Sequence, residues 1–498
     1  MSTNAGPTVA VKLFIDKEKQ RVLFAESDKE FVDVLFSFLT LPLGAIVRLL
    51  GKQSGVGCLD EVYKSVESLG TEHFQTEACK TMLLRPLNAV ASHFDRLKVK
   101  LDYTNPRSVY VCSSSCCERQ FSLVPDVICK TCKGQLHNLL EPPSDHSATV
   151  GCDSDGAFVK SGQKLIITDD LQVAPASTCL VFSLLDKFGL NEKADIEEKF
   201  IDLNNKKVSL PTASLQLILS LLKRSLTSNE PLTGIYFDTL QETKDTHKFH
   251  VIKIKLIQTA DSSTVLYAEV VQDFVDLLFG LLSVPLGSII KAHGHWPPNG
   301  SVDNLYRGVD GSASGCIREG CKSLLLSPKL ATFFGCSINA LEAKELDPQV
   351  FLSINKCSLC YKLYLDCNNN TCTSCGASTY AFYCDEVDPK SAGGAHGTSG
   401  AYIKGGMRNF IVTNDLRVLH FSLANSLQIL RASNILKEKL VEKELALDKT
   451  QSSPCIRFSL GHWALPAQVL KVLRAAVATR EALSSALLPP KKKSHPHH

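Results

Sequence analysis

The chain has 498 residues, 44% hydrophobic, 21% charged and 7% aromatic, a globular balance that excludes a disordered or collagen-like protein. Lys and Arg number 54 against 51 Asp and Glu, split as 28 against 31 over residues 1–250 and 26 against 20 beyond. No part carries the broad basic field that backbone-dominated nucleic-acid binding needs, and the length suits about two to four domains, each able to bury its own core.

The opening MSTNAGPTVAVKLF has no basic stretch followed by an apolar one. No secretory leader is expected, and the chain reads as intracellular, cytoplasmic or nuclear. Val11, Leu13 and Ile15, then Val22 and Phe24, alternate as a hairpin turning across Asp16 to Gln20. A helix follows, with Ser27 as N-cap and Glu30 completing a capping box. Its apolar residues (Phe31, Val32, Val34, Leu35, Phe36, Phe38, Leu39) go almost all round, which predicts burial. Pro42 suits the first turn of a second helix. Phe31–Leu50 and the later Phe274–Ile290 each carry an Asp and a mid-run proline, unlike the roughly 20 nearly uncharged residues of a membrane span. Asp33 needs a partner to be buried; Lys80 is the candidate, with a catalytic carboxylate as the lesser alternative. Gly51–Gly57 resembles a phosphate loop but lacks the order of one, and reads as a surface loop.

The cysteines come next. Cys117-x11-Cys129-x2-Cys132 gives three of four positions for a metal, and Ser114 stands at the fourth. Cys112 or Cys116 could enter through a shifted turn, or His137 could serve. Pro142–Gly156 reads as a linker. GAFVKSGQKLIITDDLQV (156–173) reads as a hairpin. Its Lys160 and Gly162 could hold a phosphate, but a glycine turn with Thr168 or Asp170 capping the following helix is the better reading. Leu215–Leu226 is helical in pattern.

The chain then begins again. VLFAESDKEFVDVLFSFLTLPLGAIVRLL (22–50) matches VLYAEVVQDFVDLLFGLLSVPLGSIIKAH (265–293) at an offset of 243 without a gap. Cys79-Lys80 meets Cys321-Lys322, and the 156–173 string meets GAYIKGGMRNFIVTNDLRV at 400–418. A period this long predicts a duplicated domain. Asp276 repeats the question posed by Asp33, with Lys322 as candidate partner.

In the second copy Cys357-x2-Cys360-x11-Cys372-x2-Cys375 has the spacing of a structural zinc ribbon: two thiolate pairs at two turns, joined by a hairpin. Gly376 fits a turn ending with positive φ. A single Cys-x2-Cys on a helix N-terminus would suggest redox chemistry; two pairs in polar loops favour metal. Ser391–Gly400 reads as a second linker, and the tail from Pro489, with its three lysines, as disordered.

VLFAE…FVDVLFSFLTLPLG, the cysteine pairs, GAFVKSG…ITDDLQV and LLKRSL…PLT together make the chain resemble the plant family called domain of unknown function 674, over about residues 8 to 486. That resemblance implies no particular activity.

The expected fold is therefore α+β: a tandem duplicated domain, copies at 8–248 and 249–488, each with a cysteine-rich ribbon-like insert (about 107–140 and 350–387) and a tail at 489–498. The expected metal ligands are Cys357, Cys360, Cys372 and Cys375, with Cys117, Cys129, Cys132 and Cys112 as a second set, and the expected ion is structural zinc. The leading function is a non-catalytic interaction protein with a protein partner and no membrane. The alternatives are an enzyme with a site between the copies, using Asp33 and Asp276 or Lys160 and Lys404, and weak nucleic-acid binding through Lys356, Tyr361, Lys362 and Tyr364.

Overall fold

A computed structural model describes residues 9–99, 101–102, 108–112, 119–140, 155–189, 196–202, 212–237, 254–260, 264–293, 296, 300–335, 344–348, 352–365, 371–372, 374–391, 401–405, 409–433, 435, 440–445 and 475–487. In the first half the elements run β1 (Ala10–Asp16), β2 (Arg21–Ser27), α1 (Lys29–Ser37), α2 (Leu43–Leu49), α3 (Leu59–Ser68), α4 (Glu77–Leu84), β3 (Val109–Val111), β4 (Gln120–Ser122), β5 (Asn138–Leu140), β6 (Leu165–Thr168), β7 (Val173–Pro175), α5 (Thr178–Lys187), β8 (Ile196–Asp202), α6 (Thr212–Thr227) and α7 (Pro231–Phe237). In the second they run β9 (Ile254–Thr259), β10 (Val265–Val271), α8 (Gln272–Gly280), α9 (Leu286–His293), α10 (Val302–Asp310), α11 (Cys321–Leu326), β11 (Leu352–Cys357), β12 (Leu363–Leu365), β13 (Thr379–Glu386), β14 (Asn409–Thr413), β15 (Val418–His420), α12 (Leu423–Ala432), β16 (Leu440–Leu445) and a last helix at Ala482–Leu487. The fold is mixed α+β, as expected. No helix among the described residues is long and apolar enough to cross a membrane.

Two five-stranded antiparallel sheets have the orders β7-β6-β2-β1-β8 and β15-β14-β10-β9-β16. The expected first hairpin is present, with Phe14 opposite Phe24. Each sheet packs one face on the buried helices. On the other, α5 sets Leu184 against Leu23, Phe24 and Ile166, and α12 sets Ile429 against Leu266, Tyr267 and Ile411.

Local details depart from expectation. Asp28, not Ser27, is the N-cap of α1, and its side chain makes no capping bond. The Ser27 hydroxyl instead donates to the carbonyls of Ala10 and Asp28, tying strand to helix entry. The apolar helix stops at Ser37 and tightens to a 3-10 turn over Phe38–Thr40, and Pro42 is the N-cap of α2 rather than inside it. Thr168 caps no helix. Its hydroxyl accepts the Gln172 amide and donates to Asp170, closing the β6–β7 hairpin with Leu171 left-handed at φ +62°. The helix after each such hairpin is capped by serine, Ser177 for α5 and Ser422 for α12. Most of both expected linkers, and the tail, lie outside the described residues.

The two halves do not keep separate cores. One buried cluster runs from Val9 to Leu483 through α1–α4 and α8–α11. Helix α3 lies under the second sheet, where the Ser65 hydroxyl accepts the amide of Val418 at 2.8 Å. Helix α10 lies under the first, where Gly308 packs on Val173 and the Asn304 amide donates to the carbonyl of Asp170. Pro42 pairs antiparallel with Pro285, its own equivalent at offset 243. Around that pair Leu43 N donates to Val284 O and Leu286 N to Leu41 O, each at 2.9 Å.

The third sheet joins both halves in the order β12-β11-β13-β4-β3-β5. Its central joint is parallel, Asp385 opposite Gln120 and Glu386 opposite Phe121. Its outer strands β12 and β5 approach each other, curling the sheet toward a barrel. The interior holds Val109, Val111, Phe121, Ile354, Leu365 and Cys384. Cys384 is thus an apolar core residue.

Candidate metal centres

The ends of the barrel strands carry the cysteines. Strand β11 ends on Cys357, and β12 returns antiparallel with Lys356 opposite Leu363, so the turn between them presents Cys357 and Cys360 together. A second tight turn before β13 presents Cys372 and Cys375. It is closed by Cys372 N to Ala377 O at 2.7 Å and Gly376 N to Cys372 O at 2.9 Å, with Gly376 at φ +72° as the spacing predicts. The sulfurs of Cys357 and Cys375 are 3.4 Å apart, those of Cys360 and Cys372 3.5 Å, and all four ligand atoms lie within 4.8 Å of one another. Four sulfurs at ~2.3 Å from one tetrahedral ion stand about 3.8 Å apart, so the cluster has the size of a metal site.

The surrounding donors suit thiolates. The amides of Leu359 and Cys360 point at Cys357 Sγ at 3.3 and 3.4 Å, and that of Ser374 at Cys372 Sγ at 3.4 Å. The Tyr364 hydroxyl lies 3.0 Å from Cys372 Sγ and leads the causes that pull that thiol down to about 6, whereas, against the Ala377 amide, the neighbouring sulfurs push Cys375 up to about 12.

The first half has a matching cluster of Cys112, Cys129 and Cys132, with the sulfurs of Cys112 and Cys132 3.4 Å apart. Its second turn repeats the bonds of the other ribbon: Cys129 N to Gly134 O at 2.7 Å and Lys133 N to Cys129 O at 3.0 Å. Lys133 holds the left-handed place of Gly376, at φ +60°. Cys112 directly follows β3, as Cys357 ends β11, so strand register selects Cys112 and passes over the Ser114 position. Cys117, with Ser114 and Cys116, lies outside the described residues. His137 is exposed and does not belong to the cluster. The place of Tyr364 is taken in the first half by Phe121, buried in the barrel. Both clusters could hold a metal ion.

The other residues singled out by sequence are consumed by the fold. Asp33 Oδ2 accepts the Ala157 amide at 2.7 Å, and Oδ1 those of Phe158 and Val159 at 2.8 and 2.9 Å. Burial pushes its pKa up to about 6 against those three amides. The three amides favour its ionised form, against burial and the nearby Glu30 carboxylate. Asp276 likewise accepts the amides of Tyr402 and Ile403, and burial raises it too. Neither uses the expected lysine. Lys80 donates to the carbonyls of Glu67 and Leu69 at the end of α3, and Lys322 to Asp310 and Ser314 at the end of α10. Each lysine thus serves a helix C-terminus, where a cation is favoured. The amide of Lys160 bonds Cys316 O and that of Lys404 bonds His73 O; the Lys160 ammonium reaches Gly315 O. Gly51, Gly55 and Gly57 all have positive φ, and a Cβ on Gly57 would meet Ala476 O at 2.3 Å. The loop is a surface one, with Gly51, Gln53 and Gly55 exposed and its Gly57 end packed closely.

Sequence reading missed a polar pair at the base of each sheet. Asp169 is buried, its pKa pushed up to about 6 by desolvation, and it accepts the Thr233 amide at 2.8 Å; the Thr233 hydroxyl accepts the Val22 amide at 2.7 Å. In the second half Asn414 accepts the Ser484 amide at 2.7 Å, and the Ser484 hydroxyl accepts the Val265 amide at 2.8 Å. Alignment could have flagged Asp169 with Asn414, but Thr233 and Ser484 stand 251 apart in strings too divergent to match.

A family model described as "Protein of unknown function (DUF674)" matches residues 5–450, and the chain belongs to that family. No curated protein and no solved structure matches it.

Proposed function

We propose that this member of the DUF674 family is a tandem duplicate of one α+β domain, at 8–248 and 249–488, that binds structural zinc and acts as a non-catalytic interaction scaffold. The observation that carries this reading is the cluster of Cys357, Cys360, Cys372 and Cys375, all ligand atoms within 4.8 Å. Four protein thiolates complete a tetrahedral zinc shell and leave no position for water or substrate. Cys112, Cys129 and Cys132, with Cys117, would hold a second ion. Zinc at these positions would staple short strands that bury little surface of their own. The duplication is supported by the 243-residue offset and the matching strand orders of the two five-stranded sheets. An intracellular setting is supported by the thirteen described cysteines, none of which forms a disulfide. A protein-binding role is supported by Leu359 and Tyr361, 68% and 67% exposed on the tip beside Cys360.

The test is elemental mass spectrometry of the purified chain alongside thermal unfolding with and without chelator. Two zinc ions per chain and a lower melting temperature on chelation are expected. Hydrolytic activity lost on chelation without unfolding would overturn the non-catalytic reading, and absence of metal would overturn the whole.

One observation favours a second reading, single-stranded nucleic acid. Tyr361 and Tyr380 are 67% and 49% exposed, a small aromatic platform; Lys356, whose ammonium lies 5.4 Å over the Tyr361 ring and which stands opposite Tyr380 in the sheet, is itself buried. Binding to a single-stranded oligonucleotide that weakens with salt would support it. Undetectable or salt-insensitive binding would dispose of it.

A further inference from the structure

We infer that residues 9–237 and 254–487 are obligate partners in one interlocked unit, arranged as two copies are in a helix-exchanged homodimer, so that neither half completes its fold without the other. This goes beyond the metal reading and does not depend on it.

The argument rests on reciprocity. Gln75 N bonds Tyr402 O, and Arg318 N bonds Phe158 O, each at 2.8 Å. Lys404 N bonds His73 O and Lys160 N bonds Cys316 O, also at 2.8 Å. Cys58 N bonds Ala476 O at 2.7 Å, and Ser301 N bonds Ser225 O at 2.9 Å. Phe74 bridges Ile403 as Ile317 bridges Val159. Each of these backbone contacts from first half to second has its counterpart from second to first, at equivalent positions. A contact of a residue with its own equivalent, as between Pro42 and Pro285, occurs only on a two-fold axis. The barrel obeys the same axis: the β13–β4 joint and the β12–β5 approach link the same two positions in opposite order.

The consequence is energetic. Among the described residues, parting the halves breaks ten backbone hydrogen bonds, counting the two around the proline pair and the two from Asp385 and Val387 to Arg119 and Phe121. It also strips α3 from Val418 and α10 from Val173, and opens the barrel along two seams. Buried backbone groups without partners are costly, and α3 and α10 would each lose the sheet of the other half against which they pack. The segment that carries the Asp33 amides, 156–160, is itself held by Cys316 and Arg318 of the other half. The partner each half requires is thus a second copy of the same kind of half, here supplied by the same chain.

The experiment uses the full chain with a protease site placed between Phe237 and Ile254. Cleavage is verified on a denaturing gel. The two fragments are expected to elute together in native buffer at the mass of the uncut chain and to unfold in one transition. The amides of Cys58, Lys160, Ser301 and Lys404 are expected to keep their hydrogen-exchange protection. Separation into two fragments that each retain protected sheet amides would overturn the inference. So would co-elution with those four amides exchanging freely, which would mean two domains merely touching.

Discussion

A Cβ on Gly156 would stand 1.9 Å from Oδ2 of Asp33. The glycine that opens the G-A-F-V-K string is there because a buried carboxylate must come within reach of the next three amides. Two motifs more than 120 residues apart are thus one structural device: the Asp of F-V-D anchors the strand-like segment that the opposite half then grips.

Gly156→Ala is therefore expected to destabilise the chain by about 1–3 kcal/mol through forced displacement of Asp33. Denaturant unfolding measures it. In an Asp33→Ala background the same substitution should cost less, because the clash is gone; strictly additive effects would show that the two residues do not communicate.

The pH dependence follows from the sign of the Asp33 shift. Its folded pKa, about 6, lies above the ordinary carboxylate value, so the folded state binds more protons between pH ~4 and 6. Its contribution is present in full below pH ~4 and is lost as pH rises through 6. Asp169, also raised to about 6, adds in the same direction. Glu61 opposes it, because Lys64 and Arg417 hold it below the usual range against partial burial. The comparison of parent with Asp33→Asn is accordingly the informative one. The stability difference between them should change between pH 4 and 6 and be flat above 7, and a constant difference would contradict the assignment.

The two P-L-G glycines, Gly44 and Gly287, meet the other half on the axis. A Cβ on Gly287 would lie 2.9 Å from Leu39 O and 2.8 Å from Leu325 O; one on Gly44 would lie 3.0 Å from Leu282 O. Backbone on several sides cannot yield as a side-chain tip would. Gly287→Ala is expected to cost about 1–3 kcal/mol, and Gly44→Ala less. The melting temperatures of the two variants give the order, and the reverse order would fault the packing described at the axis.

Cys360→Ser should lower the zinc content from two ions to one, as should Cys129→Ser, with the remaining ion unaffected in each. Tyr364→Phe gives the second site the residue that the first has as Phe121. It should quicken zinc transfer to a chromophoric chelator several-fold without changing the metal count, since one hydrogen bond to a ligand sulfur is lost while all four ligands remain. An unchanged transfer rate would reduce the 3.0 Å contact between Tyr364 and Cys372 to incidental packing.

Thr233→Val and Ser484→Ala each remove the hydroxyl that accepts a strand amide, from Val22 and Val265 respectively. Each should cost about 1–3 kcal/mol, the penalty for a buried amide left unsatisfied. Equal costs would make residues 475–487 the working counterpart of α7, although the family match ends at residue 450.

Much of this was legible in the residues. Alternation gave the β1–β2 hairpin, the all-round apolar run gave the burial of α1, and the Cys-x2-Cys spacing gave the second thiolate cluster. These are local signals, set by side-chain period or by the reach of one turn. What failed was also local in origin. Ser27 and Glu30 have capping chemistry, but β1 claims the serine hydroxyl. Lys80 is a plausible ion partner for Asp33, but a helix C-terminus claims it first.

The sequence by itself determined the matching strings at 22–50 and 265–293, the element types and the cysteine spacing, because each depends on residues close along the chain or on identity between two strings. Only the tertiary structure decided that Asp33 is met by amides, that Cys112 rather than residue 114 aligns with Cys357, and that each half grips the other by the same contacts in reverse. Those outcomes depend on which buried polar group reaches which partner first in three dimensions. A repeat in sequence is the same whether its copies stand apart or interlock; the distinction lies in bonds between distant residues of opposite halves, and no local pattern records them.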